Sequence, residues 1–240
     1  MTAVILSQQL LFAVKVNQSF DHLVTELREK PEGFLIAELK DTDSRKTFWL
    51  NLYNAFVQIL IDRHQPDFST WKRRMQFFGK KCIEVSGNLL SLNDIEHGML
   101  RNSSIWWSFG YFKKLSIKGF EKNLRIPLDF RIHFALNCGA TDCPAISFYT
   151  AEKLTEQLDT AMSLFLDHDV IFNSNRTTCS ISSLFKWYRK DFGGRSGTIN
   201  LLSHHFQIPN GQLKSIAFKP YDWSVLKRNF NPGSKELKQV

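Results

Sequence analysis

Apolar residues recur at a helical spacing from the start of the chain. Leu6, Leu10, Leu11 and Val14 make one stripe and Phe20, Leu23, Val24 and Leu27 a second, each with the 3.6-residue rhythm of an amphipathic helix. Pro31-Glu32-Gly33 interrupts the pattern. The longest predicted helix runs from about Ser44 to His64, with Phe48, Trp49, Leu52, Phe56, Ile59 and Leu60 on one broad face and Pro66 just beyond its end. Asn51, Tyr53, Asn54 and Gln58 place polar groups inside this otherwise apolar helix.

Further on the period changes. Cys82–Val85 and Leu89–Leu92 flank Ser86-Gly87-Asn88, which predicts a hairpin. Ser91 followed by Asp94 is a capping-box-like start for a helix through Ile95, Glu96, His97, Met99 and Leu100. Arg131–Asn137 alternates, with Ile132, Phe134 and Leu136 on one side and His133, Ala135 and Asn137 on the other, and so predicts a strand ending in the loop Cys138–Pro144. A helix capped by Thr150 follows, with Leu154, Leu158, Met162, Phe165 and Leu166 on its apolar face. A second hairpin brackets Asn173-Ser174-Asn175, two helices cover Ser182–Asp191 and Thr198–Phe206, and a short strand covers Ser215–Phe218. Helices and hairpins without regular βαβ alternation predict a single helix-rich α+β domain with small antiparallel sheets. Within it, residues 1–40 read as a helical extension packed on the core, 41–225 as the main domain, and 226–240 as a flexible tail.

Composition adds little to this and excludes several classes. Hydrophobic content of 43% and charged content of 22% are ordinary globular values; the 21 phenylalanines point to a packed aromatic interior. The net charge of +8 is spread over Lys72–Arg74, Lys80-Lys81, Lys113-Lys114 and the C-terminal stretch. No nucleic-acid motif interleaves these basic residues with stacking aromatics. No window approaches the length of a membrane span, and the first residues lack the features of a signal peptide. Four cysteines are too few for a disulfide framework, so reduced thiols in a cytoplasmic protein are the expectation.

The end of the alternating segment is where the chain offers chemistry. A cysteine entering a glycine-containing loop can be exposed, and nearby backbone N–H groups can stabilise a thiolate or an oxyanion. Cys138 needs a base or a cationic neighbour, and His97 and His133 are both candidates. Cys138-x4-Cys143 also suggests a regulated disulfide or a metal site. Zinc needs two further ligands at comparable spacing, and Cys82, Cys179 and His133 are too scattered to supply them, so no metal and no cofactor is expected. Asn51 and Asn54 have an equally good structural role bridging buried backbone. Glu96 and Arg101, five apart, each have one in pairing with another segment.

Several blocks of the chain together resemble a known family. Phe48-Trp49-Leu50-Asn51-Leu52-Tyr53-Asn54-Ala55, Leu90–Arg101 with its Ile95-Glu96-His97, and Arg131–Gly139 with Cys143-Pro144 are similar, in order, to motifs of domain-of-unknown-function family 547. Phe185–Gly193 and Tyr221–Ser224 resemble its closing blocks. The similarity spans roughly residues 40–225. It implies a kinship to papain-like thiol hydrolases with the order of histidine and cysteine permuted, and it favours Cys138 over Cys143 and His97 over His133.

The resulting expectation is a cysteine-dependent hydrolase or acyl transferase acting on an amide, isopeptide or thioester bond of a small-molecule or peptide substrate. Cys138 is its nucleophile and His97 its general base, oriented by Glu96, Asp94 or Asn54. Gly139 and Asn137 serve the oxyanion. The competing expectation is a non-catalytic module in which Asn51, Asn54, Glu96, His97, Arg101 and Arg131 line a pocket for an anionic peptide or metabolite. A third uses the positive charge at a nucleic acid or membrane surface.

Overall fold

The computed structural model describes residues 1–232. Among the described residues nine α-helices, α1 (Ala3–Lys15), α2 (Asp21–Glu29), α3 (Glu32–Glu38), α4 (Thr42–His64), α5 (Trp71–Gly79), α6 (Gly119–Leu124), α7 (Leu154–Asp169), α8 (Leu184–Trp187) and α9 (Gly194–His205), carry two small sheets. Strands β1 (Ile83–Val85) and β2 (Asn88–Leu90) form one; β3 (Ile171–Phe172), β4 (Thr178–Ile181) and β5 (Ser215–Phe218) form the other. The fold is α+β. Both hairpins form as the turn chemistry predicts, Ile83 opposite Leu90 and Ile171 opposite Ser180. The second sheet is mixed, because β5 returns parallel to β4 with Cys179 opposite Ile216.

Helix α4 is the axis of the molecule. Asp41 caps it, accepting from the backbone N–H of Ser44 at 2.8 Å and from its hydroxyl at 2.7 Å; Gln65 ends it in the left-handed region. The apolar pattern predicts one buried face, but every residue from Lys46 to Ile61 is buried. Other elements cover α4 on all sides, so its polar residues must be satisfied internally. Asn51 bridges both backbone groups of Tyr149, donating to its carbonyl at 2.9 Å and accepting from its N–H at 3.1 Å. Asn54 does the same for the Ala135 carbonyl (3.0 Å) and the Asn137 N–H (2.9 Å). These two asparagines tie irregular chain to the central helix. Asn54→Ala is expected to cost about 2 kcal/mol, because two buried backbone groups lose their partners. Urea unfolding of the variant measures it, and a loss within error would remove this role.

Helix α1 packs along α4, and its Leu6, Leu10, Leu11 and Val14 are buried in the same core as Trp49, Leu52 and Phe56. At the other end of the chain, Arg228 donates its backbone N–H to Gln58 at 2.7 Å and Phe230 stacks on Phe148. Arg228 and Phe230 thus tie the start of the predicted tail to the core; its residues 233–240 are outside the described residues.

One local prediction is overturned. Phe130–Phe134 is a 3₁₀ helix, not a strand. The alternation fails as a guide here because Ile132, His133, Phe134 and Ala135 are all buried. Both faces of the segment are covered, so no solvent face selects a period of two. Asp129 caps the turn, accepting from the Arg131 N–H at 3.1 Å. The predicted helix after Ser91 is also altered. Its capping box forms, with Asp94 accepting from Ser91 N–H at 2.9 Å and Ser91 Oγ accepting from Asp94 N–H at 3.1 Å. The turns that follow, Asp94–Leu100, are π-helical, with Arg101 N–H donating to the Glu96 carbonyl at 2.9 Å. Such widened turns are frequent at functional sites.

Candidate functional site

The π-helical turns, the 3₁₀ turn, the loop after it and α8 converge on one cleft of about 560 Å³. Glu96, His97, His133, Cys138 and Cys143 all line it. Residues from three separate stretches of sequence, 96–97, 133–144 and 184–188, therefore meet in one place. Its walls are mostly aromatic, including Tyr53, Trp187, Tyr188, Tyr221 and Trp223.

Behind the cleft lies a buried polar network. Arg101 and Asp191 are at its centre, their side chains almost wholly inaccessible, with Nε donating to Oδ2 at 2.6 Å. His133 Nε2 donates to the same carboxylate oxygen at 2.9 Å, and its ring stacks on Tyr188 at 3.9 Å between centroids. Arg101 Nη1 lies 2.8 Å from His97 Nδ1. A guanidinium is always charged and only donates, so Nδ1 accepts and the neutral ring carries its proton on Nε2. Glu96 lies 3.5 Å from the same Nδ1 and accepts from the hydroxyls of Tyr188 at 2.6 Å and Tyr53 at 3.2 Å.

These contacts set the charges. Burial pushes the pKa of His97 down to about 4; Glu96 opposes this and the Arg101 cation adds to it. His133 is lowered for the same first reason, against the hydrogen bond to Asp191. Burial raises Asp191, but the hydrogen bonds from His133 and Arg101 outweigh it and hold the carboxyl at about 2. Burial raises Glu96, but interaction with His97, the Arg101 cation and the hydrogen bond from the Tyr188 hydroxyl outweigh it and bring the carboxyl below its ordinary value. Burial first, then the nearby carboxylate, raises Tyr53 and Tyr188 well above the usual tyrosine range. At neutral pH the network is two carboxylates, one guanidinium and two neutral imidazoles.

The cysteine loop is held just as firmly. Cys138 and Cys143 are joined as a disulfide, and the hydroxyl of Tyr221 lies 3.2 Å from Cys143 Sγ and 3.9 Å from Cys138 Sγ. Asn137 shapes the loop by donating to the Pro144 carbonyl at 2.7 Å and accepting from the Gly139 N–H at 2.8 Å. Gly139 is required at a φ of +85°, where a Cβ would run into Ile61 of α4. The backbone N–H of Cys138 points at Cys143 Sγ, 3.1 Å away. The N–H groups of Asn137, Cys138 and Gly139 are thus all engaged within the protein.

The remaining predicted residues lie elsewhere. Asn51 and Asn54 bind backbone inside the core, and Asp94 caps its own turn. Arg131 pairs with Asp129 and Asp159 at 2.8 Å each. Arg101 stands behind the cleft. Asp191, Tyr188 and Tyr221 are central to the site and were not singled out from residue chemistry. Their signal lay in the closing motif blocks, Phe185–Gly193 and Tyr221–Ser224. Among the described residues no group of three or more His, Cys, Asp or Glu side chains is placed to hold a metal ion.

The model of the family described as "Protein of unknown function, DUF547" matches residues 36–166, more than half of the chain. The chain belongs to the DUF547 family. The match contains α4, the π-helical turns and the cysteine loop, and stops short of Tyr188, Asp191 and Tyr221. No curated protein and no solved structure matches the chain. Membership in the family carries no activity with it, so function has to be argued from the cleft.

Proposed function

We propose that the cleft performs thiol-dependent acyl chemistry, hydrolysis or transfer, on an amide, isopeptide or thioester, with Cys138 as nucleophile once an external dithiol reductant has opened its bond to Cys143 and its thiol proton has passed to water. The observation that carries this reading is the shared cleft of Cys138 and His97. The role of His97 differs from that of a general base. With Nδ1 occupied by Arg101 and a pKa near 4, a neutral His97 offers Nε2–H as a hydrogen-bond donor. That suits polarising an acyl carbonyl or stabilising its oxyanion. A protonated His97 paired with a thiolate would set Nδ1–H against the Arg101 cation. Arg101, itself oriented by Asp191, fixes the tautomer, and the hydroxyls of Tyr53 and Tyr188 hold the Glu96 carboxylate beside the ring.

Site-resolved alkylation tests the reading. With reductant, Cys138 is expected to label faster than Cys82 and Cys179, whose thiols burial pushes up. A substrate-like thioester should then acylate Cys138, and His97→Gln should slow acylation more than alkylation. Reduced Cys138 that neither labels nor acylates in the folded protein would overturn it.

A second reading is favoured by the disulfide and the aromatic walls. With Cys138 joined to Cys143, the cleft is a binding pocket for an anionic ligand, its wall supplied with cations by Arg74 and Lys186. Ligand binding unaffected by reduction, with no acylation, would select it.

A further inference from the structure

One surface stands apart from that reading and does not depend on it. Residues 104–113 form a tight tongue beside the cleft. Ser104 and Lys113 pair as an antiparallel bridge, and Ile105 N–H donates to the Phe112 carbonyl at 2.9 Å. The buried Ser108 hydroxyl donates to the Ile105 carbonyl at 2.7 Å and accepts from Phe112 N–H at 3.2 Å. Lys113 stitches its base through the Arg101 carbonyl at 2.8 Å. Gly110, at a φ of +89°, packs directly over Asp191, where a Cβ would strike the carboxylate. The backbone of the tongue is therefore fixed.

Its side chains point the wrong way for a core. Trp107, Phe109, Tyr111 and Phe112 are exposed by 56%, 48%, 53% and 59%, and Leu115 beyond them is fully exposed. Trp71 of α5, 62% exposed, reaches Trp106 at 6.4 Å and extends the patch. A contiguous apolar patch on an ordered surface marks an interaction site. The charge on the tongue is of one sign. From His97 to Phe120 the chain carries no acidic residue. Exposed Lys72 follows Trp71, exposed Lys118 follows Leu115, and exposed Lys190 lies over the Tyr111 ring.

We infer that this tongue, with Trp71, docks on an anionic lipid bilayer. Tryptophan and tyrosine side chains settle at the boundary between headgroups and acyl chains, and lysines beside them are attracted to anionic headgroups. A protein partner would be expected to meet apolar side chains with a rim of both charge signs; here the tongue itself carries cations only. The chain has no helix among the described residues long and apolar enough to cross a membrane, so the contact is peripheral. It places the mouth of the cleft, lined by Trp71, Trp106, Trp107 and Phe109, at the lipid surface.

The test is co-sedimentation of the full chain with vesicles of phosphatidylcholine alone and of phosphatidylcholine mixed with phosphatidylserine. Binding is expected to the mixed vesicles and to weaken in salt. Trp107→Ser/Phe112→Ser should weaken it by roughly tenfold or more, and Lys72→Glu/Lys118→Glu should remove its dependence on phosphatidylserine. All four side chains are exposed, so unchanged thermal unfolding of the variants will show that the fold is intact. No sedimentation with either vesicle, or binding undiminished in Trp107→Ser/Phe112→Ser, overturns the proposal. So does preferential binding to a single-stranded RNA oligonucleotide that the same aromatic pair abolishes, which would assign the surface to base stacking.

Discussion

Arg101→Ala will destabilise the protein by about 3–5 kcal/mol, the penalty expected when one member of a buried ion pair is removed. Arg101 and Asp191 are almost wholly inaccessible, 2.6 Å apart, so the variant leaves the Asp191 carboxylate uncompensated in the interior, with only the hydrogen bond from the neutral His133. Glu96 and the Nδ1 of His97 lose the same cation. The alternative, protonating Asp191, requires lifting a carboxyl that the native contacts hold at about 2. A double substitution, Arg101→Met with Asp191→Leu, removes both charges at once and is expected to be less destabilised than the two single changes summed. Urea unfolding of the four proteins of this cycle measures the coupling. A single-variant loss below about 1 kcal/mol would mean that water reaches the pair and that it does not organise the site.

Acidification supplies the second large effect. His97 is neutral in the folded protein with a pKa near 4, against an ordinary value of 6.5. Between these values the unfolded chain binds a proton that the folded chain refuses, so stability rises with pH across the interval. The contribution is complete above 6.5 and is lost as pH falls toward 4, amounting to about 3 kcal/mol for a shift of this size. His133 is lowered too and acts in the same direction. Asp191 opens a separate window. Its lowered pKa contributes stability above 3.8 that is lost as pH falls toward 2. Denaturant unfolding from pH 7.5 to 4.5 should therefore show a steep decline, and His97→Gln should flatten part of it. A profile level across that range would show that His97 is charged in the native protein, which the Arg101 contact forbids.

Much of the local structure was legible from residue order. The two hairpins, the capping box at Ser91 and the helices α1, α2, α4 and α7 follow from short-range rules, because each depends on neighbours a few residues away. Arg131–Asn137 was not legible. Its alternation looks like a strand, but burial on both faces erases the distinction that the pattern relies on. The same loss of contrast hid the full burial of α4, although of the two roles open to Asn51 and Asn54 the structure shows the bridging of buried backbone.

At the site the division is sharper. Glu96, His97, His133 and Cys138 stood out by residue type and by motif, and the fold brings all four to one cleft. Nothing in their spacing specified which histidine nitrogen would carry the proton. That is decided by Arg101, and Arg101 is in turn held by Asp191, ninety residues further along the chain. Hydrophobic period and turn chemistry are local properties, so the sequence alone determined the elements, the helix-rich α+β class and the residue types available for chemistry. Charge state, tautomer and the pairing of Cys138 with Cys143 depend on desolvation and on distances of about 3 Å between distant segments, and these only the tertiary structure decided.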